Sequence, residues 1–168
     1  MKRNISIIGM TGVGKSFTSK SLADRLGYNY VSADELITKA AGKMGADMNL
    51  LSDTAFIGVE ESVIVSLQDK TNAVIDTGGS VIYSPKAMGV LDRISFIVYL
   101  SDSLKNIKRR FDNREEPHVV GMAVGMSYEK LLAQREKLYE KYAHIQINVS
   151  EHENGLVSKI VSEYKKMK

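Results

Sequence analysis

The chain has 168 residues and no cysteine, and its 23 lysines and arginines against 20 acids give a formal charge of +3. One folded unit of that size buries about 70% of its unfolded surface, and 43% hydrophobic with 26% charged residues is ordinary globular composition. Disulfides and thiolate metal centres are excluded, the weak charge argues against nucleic acid or a membrane surface as partner, and no apolar run approaches the ~20 residues of a bilayer span.

Ile5 to Ile8 reads as a short β-branched strand, too short for the core of a secretion signal behind Met1-Lys2-Arg3, so a cytoplasmic protein is expected. Gly9 to Ser16 follow as Gly-Met-Thr-Gly-Val-Gly-Lys-Ser, and Phe17 to Leu26 reads as a helix. Strand, G-x-x-x-x-G-K-S loop and helix together are a phosphate-binding P-loop. Gly9, Gly12 and Gly14 let the backbone fold so that successive N–H groups face an anion, and the helix start adds its dipole. Lys15 is placed to reach the β- and γ-phosphates and the Ser16 hydroxyl to bind Mg²⁺. The nucleotide-binding set expected here is Gly9, Met10, Thr11, Gly12, Val13, Gly14, Lys15, Ser16 and Phe17.

Gly27 is a C-cap, Tyr28 to Val31 a second strand, and Ser32 with Glu35 has capping-box spacing for a helix over Leu36 to Ala41. Asp34 is either a helix-start acid or a base for a substrate hydroxyl. Gly42 to Asp53 is loose. Thr54 to Gln68 returns to helix, with Phe56, Glu60, Val63, Ile64 and Leu67 on one face. Ala73-Val74-Ile75 is a buried-type strand ending on Asp76, which either supports Mg²⁺ or begins a turn. Thr77-Gly78-Gly79-Ser80 is a turn whose glycines would also let a substrate approach the backbone. A short stretch around Pro85 leads to a strand over Ile94 to Leu100.

Leu104 to Phe111 is a basic helix, a solvated face unless one arginine lies over an adenine ring. Asp112 to Met126 has no clear period and reads as a lid, with Met122 and Met126 as gap-fillers on it. Ser127 caps a helix to Ala143 whose apolar stripe of Tyr128, Leu131, Leu132, Leu138 and Tyr142 contains Arg135. An inward guanidinium needs an anion, either Glu60 or a ligand carboxylate. Ile145 to Val149 and Leu156 to Tyr164 are the last strand and helix. The alternation predicts an α/β fold with a parallel sheet and ligands beyond its carboxyl edge.

In order, Gly9 to Ser16, Ser32-Ala33-Asp34, Phe56-Ile57-x-x-Glu60, Gly78-Gly79-Ser80 and Arg135-Glu136-Lys137-Leu138-Tyr139 resemble the shikimate kinase family over nearly the whole chain. The resemblance implies a three-layer P-loop kinase fold with a five-stranded parallel sheet, one kinase domain over 1–168, and a mobile lid at 112–126. It implies Mg²⁺ and ATP-dependent phosphorylation of a ring hydroxyl, with Asp34 at the hydroxyl and Arg135 at a carboxylate. Arg109, with Arg110 nearly as well placed, would stack on adenine. Glu60, Gly78, Gly79 and Ser80 would complete the substrate site. Ser16 and, from the residues rather than the resemblance, Asp76 are the expected metal site. The departures are Ser32 for an aspartate, Ile57 for an arginine, Glu116-Pro117 for Arg-Pro and Ser80 for a glycine. They leave another small polyol or amino-bearing metabolite as an alternative acceptor. A non-catalytic ATP-binding regulator is the other alternative. A monomer is expected, with ATP and a small hydroxylated metabolite as its partners.

Overall fold

The computed structural model describes residues 2–47, 50–110, 119–123, 125–152 and 154–167. Five strands form one parallel sheet: β1 (Asn4–Gly9), β2 (Asn29–Ser32), β3 (Ala73–Asp76), β4 (Ser95–Ser101) and β5 (Ile145–Asn148), in the order β2-β3-β1-β4-β5. β1 lies at the centre, with Ile7 opposite Asp76 on one side and Val98 on the other. The chain fills the β2-β3 side first and the β4-β5 side later, so the direction of winding reverses around β1. That reversal opens a crevice at the carboxyl end of β1, which is where the glycine loop begins.

Period-two alternation divides the core. Ile5, Ile7, Val74 and Val98 pack with Leu22 of α1 (Lys15–Leu26) and with Ile160 and Tyr164 of α7 (Leu156–Lys166). Ile8, Ile75, Ile97 and Tyr99 face the other layer, with Ile64 of α3 (Asp53–Val65) and Met88 and Leu91 of α4 (Pro85–Ile94). α2 (Ala33–Lys43) contributes Ala33 to that layer. α5 (Leu104–Arg109) and α6 (Tyr128–Tyr142) complete the helices, and among the described residues none is long and apolar enough to cross a membrane.

Several boundaries differ from the sequence expectations. α1 begins at Lys15 inside the P-loop motif, because Gly14 supplies a left-handed N-cap with φ 107°. α2 begins at Ala33, its cap formed by Ser32 Oγ accepting from the Glu35 N–H at 3.2 Å. The stretch around Pro85 is a ten-residue helix that the sequence reading left unassigned. Its start signal is plain in retrospect: Pro85 at the first helical position, with Ser84 Oγ accepting from the Ala87 N–H. The expected lid at 112–126 lies largely outside the described residues. Its later part is described, and there Val119 and Val120 are buried while Met122 and Met126 pack against the core.

Candidate active site

The glycine loop leaves β1 through Gly9, whose φ of 146° and tight seat suit no other residue: a Cβ there would stand 2.5 Å from the Leu100 carbonyl oxygen. Gly12 and Gly14 also adopt positive φ. The loop's carbonyls point away into protein partners. Lys15 Nζ donates to Met10 O at 3.1 Å, Tyr128 Oη to Thr11 O at 2.8 Å, and Arg110 Nη1 to Gly12 O and Val13 O at 3.3 Å. The Val13 N–H donates to Met10 O at 3.2 Å, and positive φ at Gly12 and Gly14 gives the rest of the loop the backbone conformation of an anion nest. Thr11, Gly12, Gly14, Lys15, Ser16 and Phe17 line a cavity of about 480 Å³. Burial pulls the Lys15 ammonium below its usual range, and the charges of Asp76 and Asp34 oppose that pull.

The other wall of the same cavity comes from Asp34 after β2, Phe56 of α3, Thr77, Gly78, Gly79 and Ser80 after β3, and Val119, Val120 and Arg135 from segments that follow β4. Asp34 occupies the first turn of α2 and also opens onto the cleft, so its two sequence readings coexist. Enough protein surrounds its carboxyl on the cleft side that desolvation moves it above the usual range, with Lys15 opposing and Asp76 adding to the shift. Gly78 and Gly79 form the floor. A Cβ on Gly78 would collide with Glu60 Oε1 and lie 3.5 Å from Asp34 Oδ1, and one on Gly79 would lie 2.9 Å from Arg135 Nη1. Tyr139 Oη fixes this turn by donating to Gly79 O at 2.7 Å, and its ring stacks on Tyr99 at 4.9 Å.

Arg135 is 1% exposed. Of the two alternatives for Arg135, the pair with Glu60 does not form among the described residues. Arg135 donates instead to Tyr83 Oη at 3.1 Å, to Val120 O at 2.5 Å and to Met10 Sδ at 3.6 Å. Glu60, also 1% exposed, accepts from Ser80 Oγ at 2.6 Å through one oxygen, and its other oxygen has no partner among the described residues. Burial pushes the Glu60 carboxyl up to about 7, with the Ser80 hydrogen bond opposing, Asp34 adding, and Arg135 and Lys15 opposing. Tyr83, Val119 and Val120 were not singled out in the sequence, and Tyr139 entered only as the end of the motif that begins at Arg135. Tyr139 had a signal, four residues after Arg135 on the same helix face. Val120 had none, because it reaches Arg135 through its backbone.

A second cavity of about 460 Å³ lies on the β4-β5 side of the loop, lined by Val13, Phe17, Arg110, Val149, Asn154, Leu156 and Val157 among others. Arg110, not Arg109, stands at both cavities. Its guanidinium is held by Asp102 at 2.7 Å. Burial alone would raise the Asp102 carboxyl, but hydrogen bonds from Asn106, Ser150, Arg110 and the Ser103 N–H outweigh it and hold it low. Ser16 opens onto the first cavity. Asp76 is buried at the end of β3, with Oδ2 accepting from Tyr30 Oη at 2.9 Å and Oδ1 unpartnered among the described residues.

A family model described as shikimate kinase matches residues 11–165. The shikimate kinase of Actinobacillus pleuropneumoniae serotype 5b is 30% identical over 167 residues, covering 96% of this chain and 95% of that one. The shikimate kinase of Francisella tularensis subsp. novicida is 31% identical over 167 residues, covering 96% and 92%. In fold, the chain is similar to the shikimate kinase from Acinetobacter baumannii in complex with shikimate, with a TM-score of 0.78, 23% identity, and 100% and 96% of the two chains covered.

Proposed function

The chain belongs to the shikimate kinase family and carries out ATP-dependent phosphorylation of a hydroxyl on a shikimate-like small metabolite, and from that premise we propose how its residues divide the reaction. The observation that carries the assignment is one cavity lined on one wall by Lys15 and Ser16 and on the other by Asp34, Gly78, Gly79 and Arg135. A phosphoryl donor and a hydroxyl acceptor would meet there in line.

The apolar cavity of Val13, Val149, Leu156 and Val157 takes the nucleobase, with the Arg110 guanidinium against it. The loop N–H groups and Lys15 hold the β- and γ-phosphates. Lys15 stays pinned through Met10 O, so its charge is in place before reaction. Asp34 accepts the proton of the acceptor hydroxyl as that oxygen bonds to the γ-phosphorus and the bond to the β–γ bridging oxygen breaks, releasing ADP. Its raised pKa makes it a better base than an ordinary aspartate. The hydroxyl of Ser16 fits a hard divalent cation, and Mg²⁺ bound there would neutralise charge on the β- and γ-phosphates. Arg135 and the Gly78-Gly79 floor orient the acceptor, and Glu60 and Ser80 fix the floor from below. Residues 1–168 act as one kinase domain, working as a cytoplasmic monomer.

A coupled ADP-release assay over a panel of hydroxylated metabolites tests this reading. Turnover on at least one acceptor is expected, and Lys15→Ala should abolish it while circular dichroism and melting stay near wild type. Calorimetry showing no binding of ATP or ADP with Mg²⁺ to the wild type would overturn the proposal, as would full activity in the Lys15 variant.

A further inference from the structure

Asp76 has one carboxylate oxygen that the protein does not satisfy. Oδ2 accepts from Tyr30 Oη, while Oδ1 is buried without a partner among the described residues. Leaving such an oxygen unpaired costs stability that a neutral side chain would not, so its partner is expected to arrive with a ligand. We propose that Asp76 is the carboxylate that holds the nucleotide-bound divalent cation, acting with the Ser16 hydroxyl and through the cation's own water shell.

Placement supports this. Val74 faces the α1 layer, and alternation puts Asp76 on that same face, at the carboxyl end of the strand and toward the first turn of α1, where Lys15 and Ser16 sit. Of the acids around Lys15, Asp76 does most to offset the burial of its ammonium. Asp34 opens onto the acceptor wall, and Glu60 lies beneath the Gly78 floor with its carboxyl pushed up to about 7, a poor ligand for a hard cation at neutral pH. On the adjacent strand, Ser32 is the register partner of Asp76 and shares its face. Ser32 is neutral, and its hydroxyl is committed to the α2 cap. The anionic charge at this corner of the sheet therefore resides on β3 and not on β2. Tyr30, two residues before Ser32 on that face, locks the carboxylate in orientation. Its phenol is pushed up to about 12, first by burial and then by Asp76, so it remains a donor throughout the working pH range.

The inference rests on the MgATP reading, and the test separates the two. Mn²⁺ binding to the enzyme–ADP complex is measured by electron paramagnetic resonance, and ADP binding in EDTA by calorimetry. Asp76→Asn should weaken Mn²⁺ binding roughly ten- to a hundredfold, the scale of one charge-assisted bond, while metal-free ADP affinity stays within about twofold. Adding Ser32→Asp to that variant returns the charge to the neighbouring strand and should restore most of the Mn²⁺ affinity. Aspartate also caps helices, so α2 should not suffer. If Asp76→Asn fails to fold, Tyr30→Phe is read in the same way, because it keeps the carboxylate and removes its lock. Unchanged Mn²⁺ affinity in these variants would overturn the inference alone. An equal loss of metal-free ADP binding would also overturn it, by assigning Asp76 to keeping Lys15 charged. A wild type that binds ADP but no Mn²⁺ would remove the MgATP reading and this inference with it.

Discussion

Arg135 is a buried cation whose hydrogen-bond partners among the described residues are a phenol, a carbonyl and a thioether, none of them an anion. A guanidinium in that position is left to pair with a negative group on the acceptor. Shikimate offers one carboxylate, but Ile57, half-buried on α3, provides no second donor for it. A charge-assisted bond contributes about 1.5–3 kcal/mol, so one missing arginine corresponds to roughly ten- to a hundredfold in affinity. Wild-type KM for shikimate is therefore expected above the ordinary enzyme ceiling of roughly 1 mM, and Ile57→Arg should lower it without changing ATP affinity. Steady-state kinetics on both proteins decide this; brisk turnover with a sub-millimolar wild-type KM would show that other groups hold the carboxylate. Glu60 supports a prediction about pH. Its carboxyl titrates near 7 in the fold against 4.5 in the unfolded chain, so between those values the folded protein keeps a proton that the unfolded chain has lost. Its contribution to stability is complete below about pH 4.5, falls as pH rises, and is gone above about 7. Melting temperatures of Glu60→Gln across pH 4.5 to 8 should decline less steeply with pH than those of wild type, and parallel curves would refute the assignment.

α6 shows how elements carry the site. Ser127 starts it by accepting from the Lys130 N–H, Arg135 sits on its buried face, and one turn later Tyr139 reaches Gly79 O. Replacing Tyr139 with Phe keeps the ring stacked on Tyr99 but leaves that carbonyl without its donor. A loss of about 1–3 kcal/mol is expected in chemical denaturation, with a raised KM for the acceptor because the glycine floor is no longer fixed; unchanged acceptor KM would confine Tyr139 to the core. Much of this was legible in the sequence. The motif Gly9 to Ser16, the strand ending at Asp76 and the inward position of Arg135 each announce themselves through local pattern and period. What was not legible depends on contacts distant in sequence. Whether Arg135 pairs with Glu60 depends on Val120 and Tyr83, which reach it from two other segments. Arg109 and Arg110 cannot be ranked by spacing, and Asp102 with the loop carbonyls selects Arg110. α4 was left unassigned as a short stretch around Pro85; its core-facing Ala87, Met88, Val90 and Leu91 and the proline at its first turn are what the fold uses to build it.

Across the whole molecule, the two cavities meet at the glycine loop, and of their described lining residues only Gly14, Phe17 and Arg110 are common to both. Substitutions on the two sides should therefore separate kinetically. Gly79→Ala, crowding Arg135 and Thr11, is expected to raise acceptor KM with ADP affinity unchanged, whereas Leu156→Ala, at the second cavity alone, should weaken ADP binding in calorimetry and lower turnover on every acceptor alike. Comparable effects of Gly79→Ala on both ligands would show that the two halves are not independent. Phe17 stands at the seam, 80% exposed and part of both linings. An architecture divided in this way allows inheritance to proceed at two rates. On the proposed assignment, mutations around Gly78, Gly79 and Arg135 would retune which alcohol is accepted while the phosphate-donating side continues to work, so a lineage could change its metabolite without passing through an ancestor unable to use ATP.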